Sequence, residues 1–336
     1  INAIADISNH RNDMSPNSQT IFVRVDSDVD NSCLGLGEHI TLTVNPLPEE
    51  NPVADIEFCT DIPDVTSIDL TQFDAEVIGT QNLADFTITY HESQADADTG
   101  ANALVSPYTN ISNPQIIYVR VEDNATGCFV SSVNFEVTVN TNPVISNPTP
   151  LELCDYDNPG DQTELFNLDD SAVEILGGIT GVTLTFHETL ADAESGANVI
   201  TSPYGNTSNP QTVYARVEDD VTGCYSTTTL DLIVNALPIS NTDPTDLILC
   251  DDDNAGNETE IFDLTQNEVY ILNGEVGVTP TYHESFADAE NGVGAIATPT
   301  VYNNTSTPQT IYVRITNDTT GCFVIVDFDL IVNPLP

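Results

Sequence analysis

The sequence contains no lysine and only five arginines, against 53 acidic residues, so its formal net charge is −48. Such a negative field repels nucleic acids and anionic membrane surfaces, and it attracts divalent cations. The sequence also lacks an apolar run long enough to span a membrane, and neither terminus has the features of a signal peptide. We therefore expect no nucleic-acid partner and no membrane insertion in this chain, which we interpret as an internal part of a longer protein.

A chain this acidic could be disordered, but its hydrophobic residues argue against disorder. They make up 40% of the sequence, and the β-branched and aromatic ones lie in regular short runs. A sequence that cannot bury a core does not show this pattern. We expect a folded protein whose charges lie on the solvated surface.

Three short phrases recur along the chain in a fixed order, which is the signature of a repeat architecture. They are Cys-Asp-x-Asp-Asn-x-Gly, then an aromatic residue with His-Glu followed by Ala-Asp-Ala, then Pro-Gln-x-x-Tyr-x-Arg followed by Thr-Gly-Cys. The arginine of the third phrase recurs after 96, 96 and 98 residues, at Arg24, Arg120, Arg216 and Arg314.

An Asn-x-x-Pro linker closes each unit of this repeat. We therefore predict the C-terminal half of a repeat at residues 1–46. Three complete repeats are predicted at residues 47–141, 142–236 and 237–336.

Alternating apolar and polar residues predict short strands within one repeat. Residues 182–187 alternate strictly, and residues 211–218 and 225–235 flank a turn-forming segment, which predicts a hairpin. A short helix within residues 171–176 and one further helical turn offer no support for a parallel sheet. About seven strands in one repeat predict an all-β fold, with tandem immunoglobulin-like β-sandwich repeats of about 96 residues that form an elongated rod.

The seven cysteines occupy two positions of the repeat, one on the first strand and one at the tip of the last hairpin. Zinc ligation is disfavoured, because there is no Cys-x-x-Cys pair and the histidines lie far from the cysteines in sequence. We therefore predict disulfides, which place the chain in an oxidising, extracellular compartment. Each hairpin cysteine could pair with the first-strand cysteine of its own repeat, or with that of the next repeat, 26 residues later.

Strand geometry favours pairing within a repeat. From Cys128 the last strand runs about 12 residues, or roughly 40 Å, toward the next repeat. A disulfide needs Cα atoms within about 7 Å of each other, and we expect the hairpin tip to lie near the first strand of its own repeat. The predicted disulfides join Cys59 with Cys128, Cys154 with Cys224 and Cys250 with Cys322, and the partner of Cys33 lies upstream.

The Cys-Asp-x-Asp-Asn-x-Gly phrase places oxygen ligands in a tight, glycine-containing turn, as calcium loops do. The bidentate glutamate that closes an EF-hand is missing, and the copy that begins at Cys59 has lost most of the phrase. The alternative is an Asx-rich turn that caps the first strand. The candidate ligands for calcium, the only expected cofactor, are Asp155, Asp157, Asn158 and Asp161 in one copy and Asp251, Asp253 and Asn254 in the next.

Four of the five arginines occupy one position on the penultimate strand. On the strand that carries Arg120, the alternation places this side chain opposite Val119 and Val121. In so acidic a protein we expect Arg120 to pair with a carboxylate on a neighbouring strand, such as Glu92. The same structural salt bridge is predicted for Arg24, Arg216 and Arg314.

Catalytic motifs such as a nucleophile elbow, a P-loop or a dinucleotide fingerprint are missing from the sequence. His91, His187 and His283 are each followed by glutamate, but the second histidine of His-Glu-x-x-His is missing each time. We interpret this pair as structural and predict that the chain is not an enzyme.

In combination, the His-Glu-Ser phrase with Ala-Asp-Ala, Tyr-Val-Arg-Val, Thr-Gly-Cys and Asn-Pro-Leu-Pro resembles a known repeat. It is similar to the immunoglobulin-like repeats of giant cell-surface adhesins of Bacteroidota, especially flavobacteria, of the gliding-motility and type IX secretion type. The resemblance covers the whole chain. It implies a surface filament whose repeats contact their neighbours in the same chain and whose distal region binds an unknown surface or polysaccharide.

We therefore predict a structural stalk or filament of a large extracellular cell-surface adhesin, used in surface attachment or gliding motility. One alternative is a subunit of a multi-chain extracellular fibre, because exposed edge strands can pair between chains. A second alternative is a set of spacer repeats in a secreted multidomain enzyme.

Overall fold

The computed structural model describes residues 3–12, 18–26, 34–252, 254 and 256–335. They form two compact units, Ile1–Asn142 and Pro143–Pro336. In this described part of the chain, no helix has both the length and the apolar character needed to cross a membrane.

The first unit begins with a long antiparallel hairpin. Strand β1 (Ser18–Asp26) pairs with β2 (Leu34–Thr43), and the register shifts between Ile21 and Phe22. The two strands form a sheet of their own, and large apolar side chains such as Leu36 are exposed on it. In sequence, the hairpin corresponds to the last two strands of each complete repeat.

The rest of the first unit is one complete repeat built from short strands and short helices. Its α-helices have only five and six residues, so the strands supply most of the core. The strands are β3 (Ile56–Thr60), β4 (Ser67–Ile68), β5 (Phe86–His91), β6 (Tyr108–Thr109), β7 (Gln115–Asp123), β8 (Phe129–Val130) and β9 (Asn134–Thr141), and the helices are α1 (Asp74–Ile78), α2 (Gln94–Thr99) and the 3₁₀ helices Leu70–Phe73 and Leu83–Asp85.

The second unit contains two complete repeats. The earlier one is built from β10 (Leu151–Cys154), β11 (Leu165–Phe166), β12 (Val182–His187), β13 (Val199–Ile200), β14 (Tyr204–Gly205), β15 (Gln211–Asp219), β16 (Tyr225–Asn235), the 3₁₀ helix Leu168–Ser171, α3 (Ala172–Leu176) and α4 (Leu190–Ser195). The later one is built from β17 (Leu247–Cys250), β18 (Ile261–Phe262), β19 (Val278–His283), β20 (Tyr302–Asn303), β21 (Gln309–Asn317), β22 (Phe323–Asn333), the 3₁₀ helix Leu264–Asn267, α5 (Glu268–Leu272) and α6 (Phe286–Asn291).

Each complete repeat has one large and one small sheet. The large sheets have the strand orders β3-β9-β7-β5, β10-β16-β15-β12-β13 and β17-β22-β21-β19, and the small sheets pair β4 with β6, β11 with β14 and β18 with β20. The first strand of every repeat runs parallel to the end of the last strand, while the other pairs are antiparallel. The predicted fold class, tandem immunoglobulin-like β-sandwiches, is confirmed.

The core of each repeat is filled by alternate residues of the long strands. On β15, Val213, Ala215 and Val217 are fully buried. Burying an apolar side chain of this kind stabilises the fold by roughly 1.5–3 kcal/mol. Because side chains alternate along a strand, Tyr214 and Arg216 lie on the opposite face of the sheet. That opposite face carries the arginine position of the repeat.

Candidate functional site

A disulfide joins the two repeats of the second unit. Cys154 is bonded to Cys322, with their Cα atoms 5.6 Å apart and a sequence separation of 168. Cys154 ends β10, the first strand of one repeat, and Cys322 immediately precedes β22, the last strand of the next. The bond therefore links two different sandwiches.

The parallel pairing of first and last strands explains why this bond forms between repeats. Cys154 lies opposite Asn235, the last residue of β16. Cys224 precedes the first residue of β16, so roughly 36 Å of extended strand separates it from the end where Cys154 lies. A disulfide cannot bridge that distance. The end of β16 also leads into the next repeat, whose hairpin brings Cys322 to Cys154.

The predicted disulfides within repeats are wrong. Cys128 and Cys250 are free thiols, so Cys59 is not bonded to Cys128, and Cys250 is not bonded to Cys322. The prediction assumed that the hairpin tip lies beside the first strand of its own repeat. The structure places these two positions at opposite ends of the sandwich, because the first strand pairs with the far end of the last strand.

The third predicted pair, Cys154 with Cys224, is excluded by the bond from Cys154 to Cys322. The alternative, a hairpin cysteine paired with the first-strand cysteine 26 residues later, is excluded for Cys154 by the same bond. Cys59 and Cys224 are each disulfide-bonded. Cys33 lies outside the described residues.

Aromatic side chains pack beside the disulfide of the second unit. The ring of Phe323, next to Cys322, meets the ring of Tyr156 from the preceding repeat edge to face, with 5.6 Å between centroids. The backbone N–H of Phe323 donates a hydrogen bond to the Tyr156 hydroxyl at 3.3 Å. Cys322 is fully buried. The joint between these repeats therefore combines a covalent bond with an aromatic contact and a hydrogen bond.

The repeated arginine fixes the base of the hairpin that carries this cysteine. The Arg314 guanidinium lies 3.3 Å from the centroid of the Phe323 ring. It also donates hydrogen bonds to the carbonyls of Ala289 and Glu290, in the last turn of α6, at 2.9 and 2.7 Å. A cation near the carbonyl end of a helix and over an aromatic face is stabilised by both. Arg314 therefore connects α6 to the start of β22.

The other two complete repeats contain the same arrangement together with an ion pair. Arg120 contacts Glu122, two residues along its own strand, at 2.7 Å. The predicted salt bridge is therefore present, but the predicted partner is wrong: Glu92 instead accepts a hydrogen bond from the Tyr108 hydroxyl. Residues two apart on a strand share a face, so the nearest carboxylate is on the same strand. The equivalent pair in the next repeat is Arg216 with Glu218, at 2.6 Å.

The salt-bridge prediction has different outcomes at the two remaining arginines. Arg314 donates a hydrogen bond to the Thr316 hydroxyl, at the position where the other repeats have glutamate. Arg24 is exposed on β1, and its salt bridge stays a prediction.

A tight turn presents the hairpin cysteine. The Asp219 carboxylate accepts hydrogen bonds from the backbone N–H groups of Val221 and Thr222, and the Thr222 hydroxyl accepts one from the N–H of Cys224. The bond from Thr222 N–H is the main reason that the pKa of Asp219 is lowered. Gly223 adopts φ of 71°, which favours glycine. The Thr-Gly-Cys phrase in the sequence thus encodes the position of the cysteine, a role that the sequence analysis did not assign.

The candidate calcium loop follows the first-strand cysteine directly. Asp155 is only 2% exposed, and one of its carboxylate oxygens accepts a hydrogen bond from Gly160 N–H at 2.7 Å. Its other oxygen has no hydrogen-bond partner among the described residues. Asp251 has the same environment, with Gly256 as donor. These two buried oxygens are the observation that fits a bound cation.

The other candidate ligands that the structure describes are exposed. Asn158 donates a hydrogen bond to Asp161, and the backbone N–H of Asp157 donates one to Glu164. Across the described ranges, no group of three or more His, Cys, Asp or Glu side chains is arranged to hold a metal ion. Calcium stays a prediction; Asn254 is exposed, and Asp253 lies outside the described residues.

The repeated histidines are fully buried. His187 has Nδ1 at 2.6 Å from the Ala197 carbonyl and Nε2 at 2.9 Å from the Thr185 hydroxyl. The following Glu188 accepts a hydrogen bond from the Tyr204 hydroxyl at 2.9 Å. Both residues of the His-Glu pair therefore connect loops to the β-sheet, which agrees with a structural role.

Three stretches of the chain, residues 55–143, 150–238 and 246–336, match the model of a single family, the Flavobacterium inter-domain disulphide bond domain. They account for most of the chain, which therefore belongs to this family. The description of the family agrees with the bond between Cys154 and Cys322. No match is found among curated proteins.

The chain also matches solved structures of multidomain proteins. The titin I67–I69 variant with E-to-A mutations is 8% identical, with a TM-score of 0.27, and the match covers 84% of this chain and 96% of the titin chain. Drosophila OTK extracellular domains 3–5 are 10% identical, with a TM-score of 0.25 and coverages of 84% and 95%. The insect immune protein hemolin is 10% identical, with a TM-score of 0.21 and coverages of 93% and 76%. Similarity at this level carries no argument.

Proposed function

We propose, starting from this family membership, that the chain is part of the structural stalk or filament of a large extracellular cell-surface adhesin. The adhesin serves surface attachment or gliding motility. In this role the repeats set the distance between the cell and a distal region, and that region binds a surface or a polysaccharide. Catalysis is not part of the role.

The observation that carries this proposal is the disulfide between Cys154 and Cys322. It adds a second covalent connection at a place where a tandem-repeat protein ordinarily has only a peptide linker. A second connection resists separation and rotation of adjacent sandwiches, which a spacer under tension needs. An enzyme or a small-molecule binding protein gains nothing for its chemistry from such a bond.

The same bond supports an extracellular location. Disulfides form and persist in oxidising environments such as the cell surface and are rare in the cytosol. The net charge of −48 also keeps the chain hydrated and repels anionic cell envelopes. Both properties suit a chain that projects from a cell.

Electron microscopy of native appendages tests the proposal. Appendages sheared from cells are labelled with antibodies against residues 143–336, and the chains across their width are counted. We expect thin filaments, one sandwich wide, that carry label along their length. A longitudinal repeat of roughly 40 Å is expected if the last strand spans a module.

Two results would contradict this proposal. Label found only in the medium, on particles with hydrolytic activity, would indicate the spacer of a secreted enzyme. Several chains side by side would indicate the multi-chain fibre. A strain that lacks the repeats but keeps the distal region is the matched control, and we expect it to lose attachment under flow.

A further inference from the structure

The two repeats of the second unit are connected covalently in two ways. One connection is the peptide linker of residues 236–246, between β16 and β17. The other is the disulfide between Cys154 and Cys322. Together with the strands at their ends, these connections form two continuous covalent routes through the joint.

We name the two routes by their residues. The disulfide path consists of Leu151–Cys154, the disulfide and Cys322 with Phe323–Asn333. The backbone path consists of Tyr225–Asn235, the linker and Leu247–Cys250.

The two paths lie side by side and run in the same direction. In the earlier repeat, β10 of the disulfide path pairs in parallel with the end of β16 of the backbone path. In the later repeat, β17 of the backbone path pairs in parallel with the end of β22 of the disulfide path. The disulfide path uses the short first strand of the earlier sandwich and the long last strand of the later one. The backbone path uses the long last strand of the earlier sandwich and the short first strand of the later one. Both paths run toward the C-terminus.

We propose that tension along the chain passes through the disulfide path and bypasses the core of the earlier sandwich and most of the core of the later one. All residues between Cys154 and Cys322 form a closed loop when the bond is intact. That loop contains all of the buried core residues of the earlier repeat and most of those of the later one. The remaining four, Val326, Phe328, Leu330 and Val332, lie on β22, within the disulfide path. A pull applied at residues 144 and 335 reaches the residues of the loop only through strand pairing, never as a continuous extension of the backbone.

The strands of the disulfide path leave little slack. Leu151–Cys154 and Phe323–Asn333 are already in strand conformation, in which each residue advances about 3.3 Å. A fully extended residue advances at most about 3.6 Å. The path therefore cannot lengthen much before its covalent bonds resist the pull.

Without the disulfide, the same pull acts on the two sandwiches in series. Tension would enter the earlier repeat on β10 and leave it on β16, and would shear the four residue pairs that join them, from Leu151 with Leu232 to Cys154 with Asn235. Once those pairs separate, the core unfolds and its length is released. When both repeats have unfolded, the sequence separation of 168 limits the total release to roughly 600 Å.

This inference rests on the proposed function, because a tension bypass is useful only in a chain that is pulled. Its test does not depend on that function, since it measures the purified chain alone. If imaging contradicts the stalk and the mechanical result below still holds, the proposed function fails and the bypass stands.

The experiment stretches single molecules of the full 336-residue chain. Handles are attached through unnatural residues at Val144 and Leu335, which are 82% and 47% exposed. With the disulfide intact, only about 23 residues lie between the handles along the disulfide path, so the maximum length is roughly 80 Å. After reduction, about 190 residues lie between them, and the maximum length is roughly 690 Å.

We expect an approximately eightfold difference in maximum length between the oxidised and the reduced chain, with no stepwise extension in the oxidised chain. The Cys322→Ser variant should behave as the reduced chain does, whether or not it folds. The bypass is overturned if the chain purified under oxidising conditions extends in steps far beyond 80 Å, because Cys154 and Cys322 then do not carry the tension.

A second handle pair provides the matched control. Handles at Val144 and Val221, which is 91% exposed, enclose most of the core of the earlier repeat, and the disulfide does not shorten the covalent path between them. We expect this pair to reach a maximum length of roughly 270 Å in both the oxidised and the reduced chain. A core that fails to extend between these handles at the same force would mean that its own stability, rather than the bypass, protects it, and would overturn the inference.

Discussion

The two repeats of the second unit have the same fold but differ in the bonding of their first-strand cysteine. In both, the first strand pairs in parallel with the end of the last strand over four residue pairs. Cys154 at the end of β10 is bonded to the next repeat, whereas Cys250 at the end of β17 is a free, exposed thiol. The disulfide is thus a property of the joint between two sandwiches, since one sandwich by itself supplies only half of it.

The residues beside these cysteines differ as well. Tyr156 contacts Phe323 across the joint, whereas the equivalent position two residues after Cys250 is Asp252. The aromatic contact therefore belongs to one joint, and the disulfide position belongs to every repeat. Substitutions at equivalent positions separate these contributions.

The largest effect is expected for Cys154→Ser. Closing a loop of 168 residues is worth up to about 5 kcal/mol in the chain-entropy model. We expect both repeats of the second unit to unfold at a lower temperature. Hydrogen exchange, measured separately for the residues of each repeat, checks that both are destabilised. Cys250→Ser is the control, because this thiol is free and exposed, and we expect it to change stability by less than about 0.5 kcal/mol. Equal effects of both variants would contradict the joint-specific role.

A second effect is expected at the arginine position. Arg216 is 8% exposed and has an ion pair, two carbonyl hydrogen bonds and an aromatic contact, so Arg216→Met should cost about 2–3 kcal/mol in urea unfolding.

Arg314→Met is the matched comparison. Arg314 has the same carbonyl and aromatic contacts but pairs with Thr316. The expected cost is lower by about 0.5 kcal/mol, because Glu218 is 44% exposed and its ion pair is screened by solvent. A larger loss of stability for Arg314→Met than for Arg216→Met would show that the Glu218 carboxylate contributes nothing to stability.

A smaller effect is expected for Tyr156→Ala. Loss of the edge-to-face contact with Phe323 should cost about 1 kcal/mol. The backbone N–H of Phe323 also loses its hydrogen bond to the Tyr156 hydroxyl, so its hydrogen exchange should become faster. Asp252→Ala, at the equivalent position of the later repeat, is the control. Unchanged exchange at Phe323 would mean that the disulfide alone orders the joint.

The smallest effect is expected for calcium. If a cation fills the site at the buried oxygen of Asp155, a half-filled weak site stabilises its repeat by about 0.4 kcal/mol. Addition of a chelator should then lower the unfolding temperature slightly, and Asp155→Asn should abolish that response. The first complete repeat has Thr60 at this position and should not respond. A chelator-dependent shift in the first complete repeat, or no shift in any repeat, would exclude calcium at Asp155.

The elements encoded by local pattern were predictable from the sequence. The strict alternation of residues 182–187 became β12 with the same bounds, and the predicted hairpin became β15 and β16. The arginine position was predicted to form an ion pair, and it does so at Arg120 and Arg216. The carboxylate that pairs with the arginine was not predictable. A carboxylate on a neighbouring strand and one two residues along the same strand can both come within reach of the guanidinium.

By itself the sequence determined the repeat period, the β-sandwich class and the two cysteine positions. All three follow from residue spacing, which is local or periodic information. The disulfide connectivity was decided only by the tertiary structure. Each first strand pairs in parallel with the end of its last strand, which places Cys154 at one end of its own sandwich, far from Cys224, and next to Cys322 of the following one. Spacing along the chain carries no record of that pairing, because it depends on which ends of two folded repeats meet.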